Sequence, residues 1–246
     1  MSSATKTGLC ALATAILLWL IRDRLHFDPT IYSAGFADQE THLGIANFWN
    51  VATNLGFAIL GIAGMTGYRR YPEIYRTLGF AFAAAILGVA FGSSYFHYAP
   101  SPTTLFWDQL PMSVGFAIFT GMVIADRASP KVGLAIGVAL SLVGAGSVWN
   151  IYYGNGATEY YLAVQFGSLI FAILTLLATP RNRMRTSLVF VGLIAYIVAK
   201  VLETNDAVVF DALKVISGHS LKHVAATLAL WAIFRGAAVE RAPERT

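Results

Sequence analysis

The segment "GHSLKH" sets His219 and His223 four residues apart. On a helix, side chains at i and i+4 project from one face and can grip a single ion. A third histidine, His97, ends the segment "GSSYFH". Three imidazoles leave the fourth position of tetrahedral zinc open to water, which catalytic sites keep and structural sites fill. Ser93 stands four residues before His97 and shares its helical face, whereas Ser94 falls about 100° away. Asp108 enters on the next apolar run, after a turn with Pro100 and Pro102. A carboxylate beside a zinc-bound water could orient it and take its proton, and a hydroxyl could stabilise a developing oxyanion. The expected site is therefore zinc on His97, His219 and His223, with Asp108 and Ser93 in catalytic roles.

The elements that must position these groups are membrane spans. The 246 residues are 57% hydrophobic and 12% charged, with a mean hydropathy of +0.62, far from the roughly one-quarter charged residues of soluble domains. Apolar runs recur near 8–21, 45–66, 78–96, 109–125, 132–149, 159–178, 186–202 and 217–234. Most approach the ~20 residues that a helix needs to cross ~30 Å of hydrocarbon. The expected fold is all-α: a seven-helix integral membrane bundle with one extra N-terminal transmembrane helix. Residues 1–35 read as the anchor helix and outer loop, and 36–246 as the seven-helix domain. No small-residue cleavage site follows the first run, so it reads as a retained anchor and not a signal peptide. The single cysteine, Cys10, excludes an internal disulfide.

The net charge of +4 comes from residues scattered among short loops, which excludes a nucleic-acid stripe. Arg69, Arg70 and Arg76, then Arg127 and Lys131, then Arg181, Arg183 and Arg185, and finally Arg235, Arg241 and Arg245 fall at alternate connections. The positive-inside rule sends these to the cytoplasm, with both termini, and places the histidine site near the outer face. Arg22 and Arg24 lie on the opposite side and are outweighed.

Other polar residues carry plainer expectations. Asn47, Asn50 and Asn54 recur at helical spacing and should turn inward to bond neighbouring helices. His26 and His42 read as interfacial polar tips. Lys200 and Glu203 read as a snorkelling or surface pair. Trp49, Trp107, Trp149, Tyr152, Tyr153, Tyr160 and Tyr161 form an expected outer aromatic belt. Asp38 and Glu40 offer oxygen ligands for calcium, but two carboxylates are only part of the oxygen set that ion requires.

Together "NFWNVATN", "GSSYFH", "WDQLPM" and "GHSLKH" resemble the alkaline ceramidase family, within the seven-helix membrane hydrolases that include adiponectin-receptor-like proteins. The match runs over 36–234, and "FADQ" and "GHSLKH" look most like prokaryotic members. The resemblance implies zinc on His97, His219 and His223, Asp108 positioning the water, Ser93 assisting the oxyanion, and hydrolysis of a ceramide amide to a fatty acid and a sphingoid base. It implies a bacterial inner-membrane setting and a lipid substrate entering from the bilayer, with no obligate protein partner. The chain departs from the pattern at Asn47, where an acidic calcium ligand is expected, and at Gln109, where glutamate is frequent. A lipid-sensing receptor and an ion transporter are the competing classes. A transporter would place its ionisable groups on interrupted helices at mid-membrane, and here they gather at one end.

Overall fold

The computed structural model describes residues 1–28 and 35–238. Arg241 and Arg245 lie outside the described residues. Among the described residues ten α-helices follow one another: α1 (Ser3–Leu20), α2 (Phe48–Ala52), α3 (Leu55–Thr66), α4 (Arg76–Tyr98), α5 (Pro102–Arg127), α6 (Pro130–Tyr153), α7 (Glu159–Ala178), α8 (Thr186–Thr204), α9 (Asp206–Leu213) and α10 (Gly218–Ala237). The same residues hold no β-strand, only a single bridge between His42 and Ile45. Seven spans among them are long and apolar enough to cross a membrane: α1, α2 with α3, and α4 to α8. The chain is a multi-pass, all-α membrane protein. The last helix, α10, has the length of a span at 20 residues. Its apolarity is diluted by His219, Lys222, His223 and Arg235, all within one helix.

Local chemistry sets the helix ends. Ser101 accepts from the Thr104 amide and Thr104 Oγ1 accepts from the Ser101 amide, a reciprocal cap in front of Pro102 at the first helical position of α5. Ser129 caps α6 one way, its hydroxyl accepting from the Val132 amide, again before a proline, Pro130. Ser217 caps α10, and the Asp206 carboxylate accepts the His219 amide at 2.7 Å, so the first turn of α10 is held twice.

The packing places α5 at the centre, against α4, α6 and α7, while α10 lies along α8 and α3. Phe82, Phe119, Met122, Met184 and Phe234 belong to the core that fills the end of the bundle away from the histidines. The first helix packs along α7, where Leu18 sits against Gly167.

Three readings of the sequence need correcting. The second span is not one helix: it breaks at Thr53–Asn54 between α2 and α3. Tyr161 and Tyr152 are not belt residues. Tyr161 is buried, and the Tyr152 hydroxyl donates to Gln109 Oε1 at 2.9 Å, whereas Trp107, Trp149, Tyr153 and Tyr160 are exposed. Arg127 is not a loop marker either. Its side chain is buried, pairs with Asp126 at 2.8 Å and donates to the Pro180 carbonyl and the Thr186 hydroxyl. The pair locks the connection between α7 and α8 onto the end of α5.

Candidate metal centre

The ends of α4 and α10 bring His97, His219 and His223 into one buried cluster. One ring nitrogen from each can be chosen so that all lie within 4.8 Å of one another. The ring centroids of His97 stand 4.8 Å from His219 and 4.9 Å from His223. Among the described residues this is the group of histidine, cysteine and carboxylate side chains able to hold a metal ion.

The hydrogen-bond pattern fits such an ion. His97 is 1% exposed, and neither of its ring nitrogens has a hydrogen-bond partner. A buried polar atom without a partner costs roughly 1–3 kcal/mol, a cost that a metal bond would remove. On His223 the arrangement fixes the tautomer. The Thr53 hydroxyl spends its proton on the Trp49 carbonyl at 2.7 Å, so its oxygen accepts from His223 Nδ1–H at 2.9 Å. That leaves the Nε2 lone pair of His223 free for a ligand. His219 Nε2 lies 2.8 Å from the Lys222 ammonium, a contact that a metal ion on that nitrogen would displace. Phe36 covers the cluster, with its ring centroid 4.6 Å from that of His97 and 4.8 Å from that of His219.

Ser93 and Asp108 lie on the wall of the cavity that His219 and His223 also line. The Ser93 side chain stands beside the Asp108 carboxylate on that wall. Their meeting requires α4 and α5 to touch backbone to backbone. A Cβ on Gly92 would sit 1.9 Å from the Trp107 carbonyl oxygen. That oxygen protrudes because Pro111, one turn further along α5, has no amide to bind it. Gly92 is thus the residue that sets Ser93 beside Asp108, and sequence reasoning missed it. The signal was present: Gly88 and Gly92 form a small-xxx-small pair of the kind that lets membrane helices approach closely.

The cavity has a volume of about 280 Å³. Phe57, Phe82, Ile86, Phe119, Leu230 and Ile233 form its apolar end. α10 starts at the histidines, so Leu230 and Ile233 lie two to three helical turns beyond His223.

Around the centre all three asparagines turn inward, and two bond neighbouring helices as their spacing predicts: Asn47 donates to the His97 carbonyl at 2.8 Å and Asn50 accepts from Ser220 at 2.7 Å, whereas Asn54 donates to the Asn50 carbonyl of its own segment at 2.9 Å. Asp38 is also buried. Its Oδ1 accepts the Glu40 amide, its Oδ2 has no hydrogen-bond partner, and burial holds its carboxyl above the ordinary range. Glu40 pairs with His42 at 3.0 Å on the surface. Lys200 and Glu203 do form the expected pair, but not as a surface feature. Glu203 lines the cavity, and its second oxygen accepts from Lys222 at 3.0 Å. His26 and His42 lie outside the cluster.

The structure defines a multi-pass membrane bundle in which three buried imidazoles that could hold a metal ion lie beside a largely apolar cavity. The family model for Ceramidase matches residues 39–241. The chain belongs to the ceramidase family, whose activity is hydrolysis of ceramide-type lipids. No curated protein and no solved structure matches it.

Proposed function

We propose that the protein is a zinc-dependent amidohydrolase that cleaves the linear amide of a ceramide-like lipid to a fatty acid and an amine base. The observation that carries this reading is the convergence of His97, His219 and His223 within 4.8 Å, beside a cavity lined by Ser93 and Asp108. Bound there, zinc supplies a Lewis acid that polarises the amide carbonyl and brings the pKa of a water towards ~7.

The chain's own residues do the rest. Asp108 takes the proton of the attacking water and passes it to the departing nitrogen, so water adds across the C–N bond and neither side is oxidised. Ser93, beside Asp108 on the cavity wall, can present its hydroxyl to the oxygen on which negative charge develops. Thr53 keeps the His223 ring in the tautomer that presents Nε2. The phenyl-lined end of the cavity receives the acyl chain, and Phe36 excludes bulk water from the imidazoles.

Residues 36–246 form the catalytic domain in this reading, with α1 as an anchor. The loops rich in arginine lie in the cytoplasm and the centre lies near the outer face, the periplasmic side of a bacterial inner membrane. Incubation of the detergent-purified, zinc-loaded protein with ceramide, read as released fatty acid by mass spectrometry, tests the function. Release that disappears in Asp108→Asn supports it. Saturable lipid binding without product would instead indicate a receptor.

A further inference from the structure

The proposed chemistry makes no use of a charged stripe inside the same cavity. Tyr196, Lys200 and Glu203 recur at i, i+4 and i+7 on α8, and therefore share one face. Lys222 meets them from the first turns of α10, and all four line the cavity. Lys222 Nζ lies 3.0 Å from Glu203 Oε1, and Lys200 Nζ donates to Glu203 Oε2. Gln165 reaches in from α7 and donates to the Tyr196 hydroxyl at 2.7 Å.

The cluster is unsatisfied in hydrogen bonds. On this stripe two ammonium groups share the Glu203 carboxylate, and Asp108 is the other carboxylate on the cavity wall. Each ammonium has three N–H donors. Lys200 spends one on Glu203, and Lys222 spends one on Glu203 and one on His219. Donors remain on both, in side chains that are only 38% exposed for Lys200 and 19% for Lys222. What fits them is an acceptor, and two neighbouring ammonium groups favour a charged acceptor over a neutral one.

Position says which half of the substrate carries the anion. Leu230 and Ile233, at the apolar end, lie two or three turns along α10 from Lys222, so an acyl chain runs away from the lysines. The scissile amide would lie between them, at His219, His223 and Asp108. We propose that Lys200 and Lys222, braced by Glu203, form a subsite for an anionic group on the amine half of the lipid amide, a carboxylate, sulfonate or phosphate. This inference rests on the hydrolase reading and narrows its substrate class.

Two arms test it on the zinc-loaded, detergent-purified protein. In the first, hydrolysis of N-palmitoylglycine is compared with that of neutral N-palmitoylglycinamide. The expected result is a kcat/KM higher for the anionic amide by about tenfold or more, the scale of a hydrogen-bonded charge, with the ratio collapsing in Lys200→Met and Lys222→Met. Lys222 touches His219, so Lys200→Met, which lies away from the imidazoles, gives the decisive variant. In the second arm, hexadecyl phosphate and hexadecanol compete for binding against a fluorescent fatty amphiphile. The phosphate should bind more tightly, and Lys200→Met should remove most of that advantage while zinc content stays the same.

Equal affinity for the two amphiphiles, or an advantage that survives in Lys200→Met, overturns the subsite. Tighter phosphate binding without preference for the anionic amide overturns the substrate assignment and gives the lysines to a product carboxylate or a lipid headgroup. Failure to hydrolyse either amide sinks the hydrolase reading, and the binding arm still decides the subsite.

Discussion

Gly92→Ala separates positioning from folding. The added methyl would lie 1.9 Å from the Trp107 carbonyl oxygen, 2.6 Å from its carbon and 3.2 Å from the Asp108 amide nitrogen. A carbon-to-oxygen contact of about 3.3 Å is the closest normally tolerated, so α4 and α5 must part by about 1.4 Å at the point where Ser93 meets Asp108. Overpacking of this kind costs roughly 1–3 kcal/mol, offset by about 1 kcal/mol because alanine favours the helix over glycine. Because the clash is with backbone that cannot swing aside, the cost falls at the upper end of that range, a net loss of about 2 kcal/mol. A misplacement of about 1 Å among reacting groups can cost around a hundredfold in rate. The expected result is a folded, zinc-containing variant with kcat/KM for ceramide reduced about a hundredfold. Gly146→Ala on α6 is the control, since a Cβ there meets nothing within 4 Å. It should leave activity alone and raise the melting temperature slightly. Both variants are read by turnover, zinc content and thermal unfolding in detergent. Wild-type turnover in Gly92→Ala would refute the claim that this contact positions the pair.

Three further outcomes are expected. Thr53→Val removes the acceptor that fixes His223, and zinc affinity measured by competition with a chelator should fall about 10- to 100-fold. Asp108→Asn keeps the shape of the side chain but cannot take a proton, so kcat should drop by about 10² to 10⁴ with zinc content unchanged. Asp38 holds its proton more tightly folded than unfolded, where its value is 3.8. Stability should therefore fall as pH rises from there through the raised value and then level off, and Asp38→Asn should flatten that segment of the melting-temperature profile.

Much of the site was legible because lipid makes ionisable residues scarce. His97, His219, His223, Ser93 and Asp108 stood out by type, and one helical turn links Ser93 with His97 and His219 with His223. The asparagine stripe was legible for the same reason. What escaped depended on contacts between helices. Nothing local to Gly92 says that the carbonyl freed by Pro111 would press against it. The break at Thr53 carries no proline or glycine, and the hydroxyl there serves a histidine 170 residues away. Lys200 and Glu203 read as a surface pair because their third member, Lys222, lies on another helix. Arg127 read as a topology marker because its partner loop, 180–186, is distant in sequence.

The most direct test of the central claim is the metal content of the detergent-purified protein, measured by mass spectrometry beside a folded His219→Ala, His223→Ala variant. The account predicts about one zinc per chain, set by one three-imidazole site, and its loss in the variant. A protein that takes up no zinc after metal-free handling and repletion, or a variant that keeps it, would contradict the account.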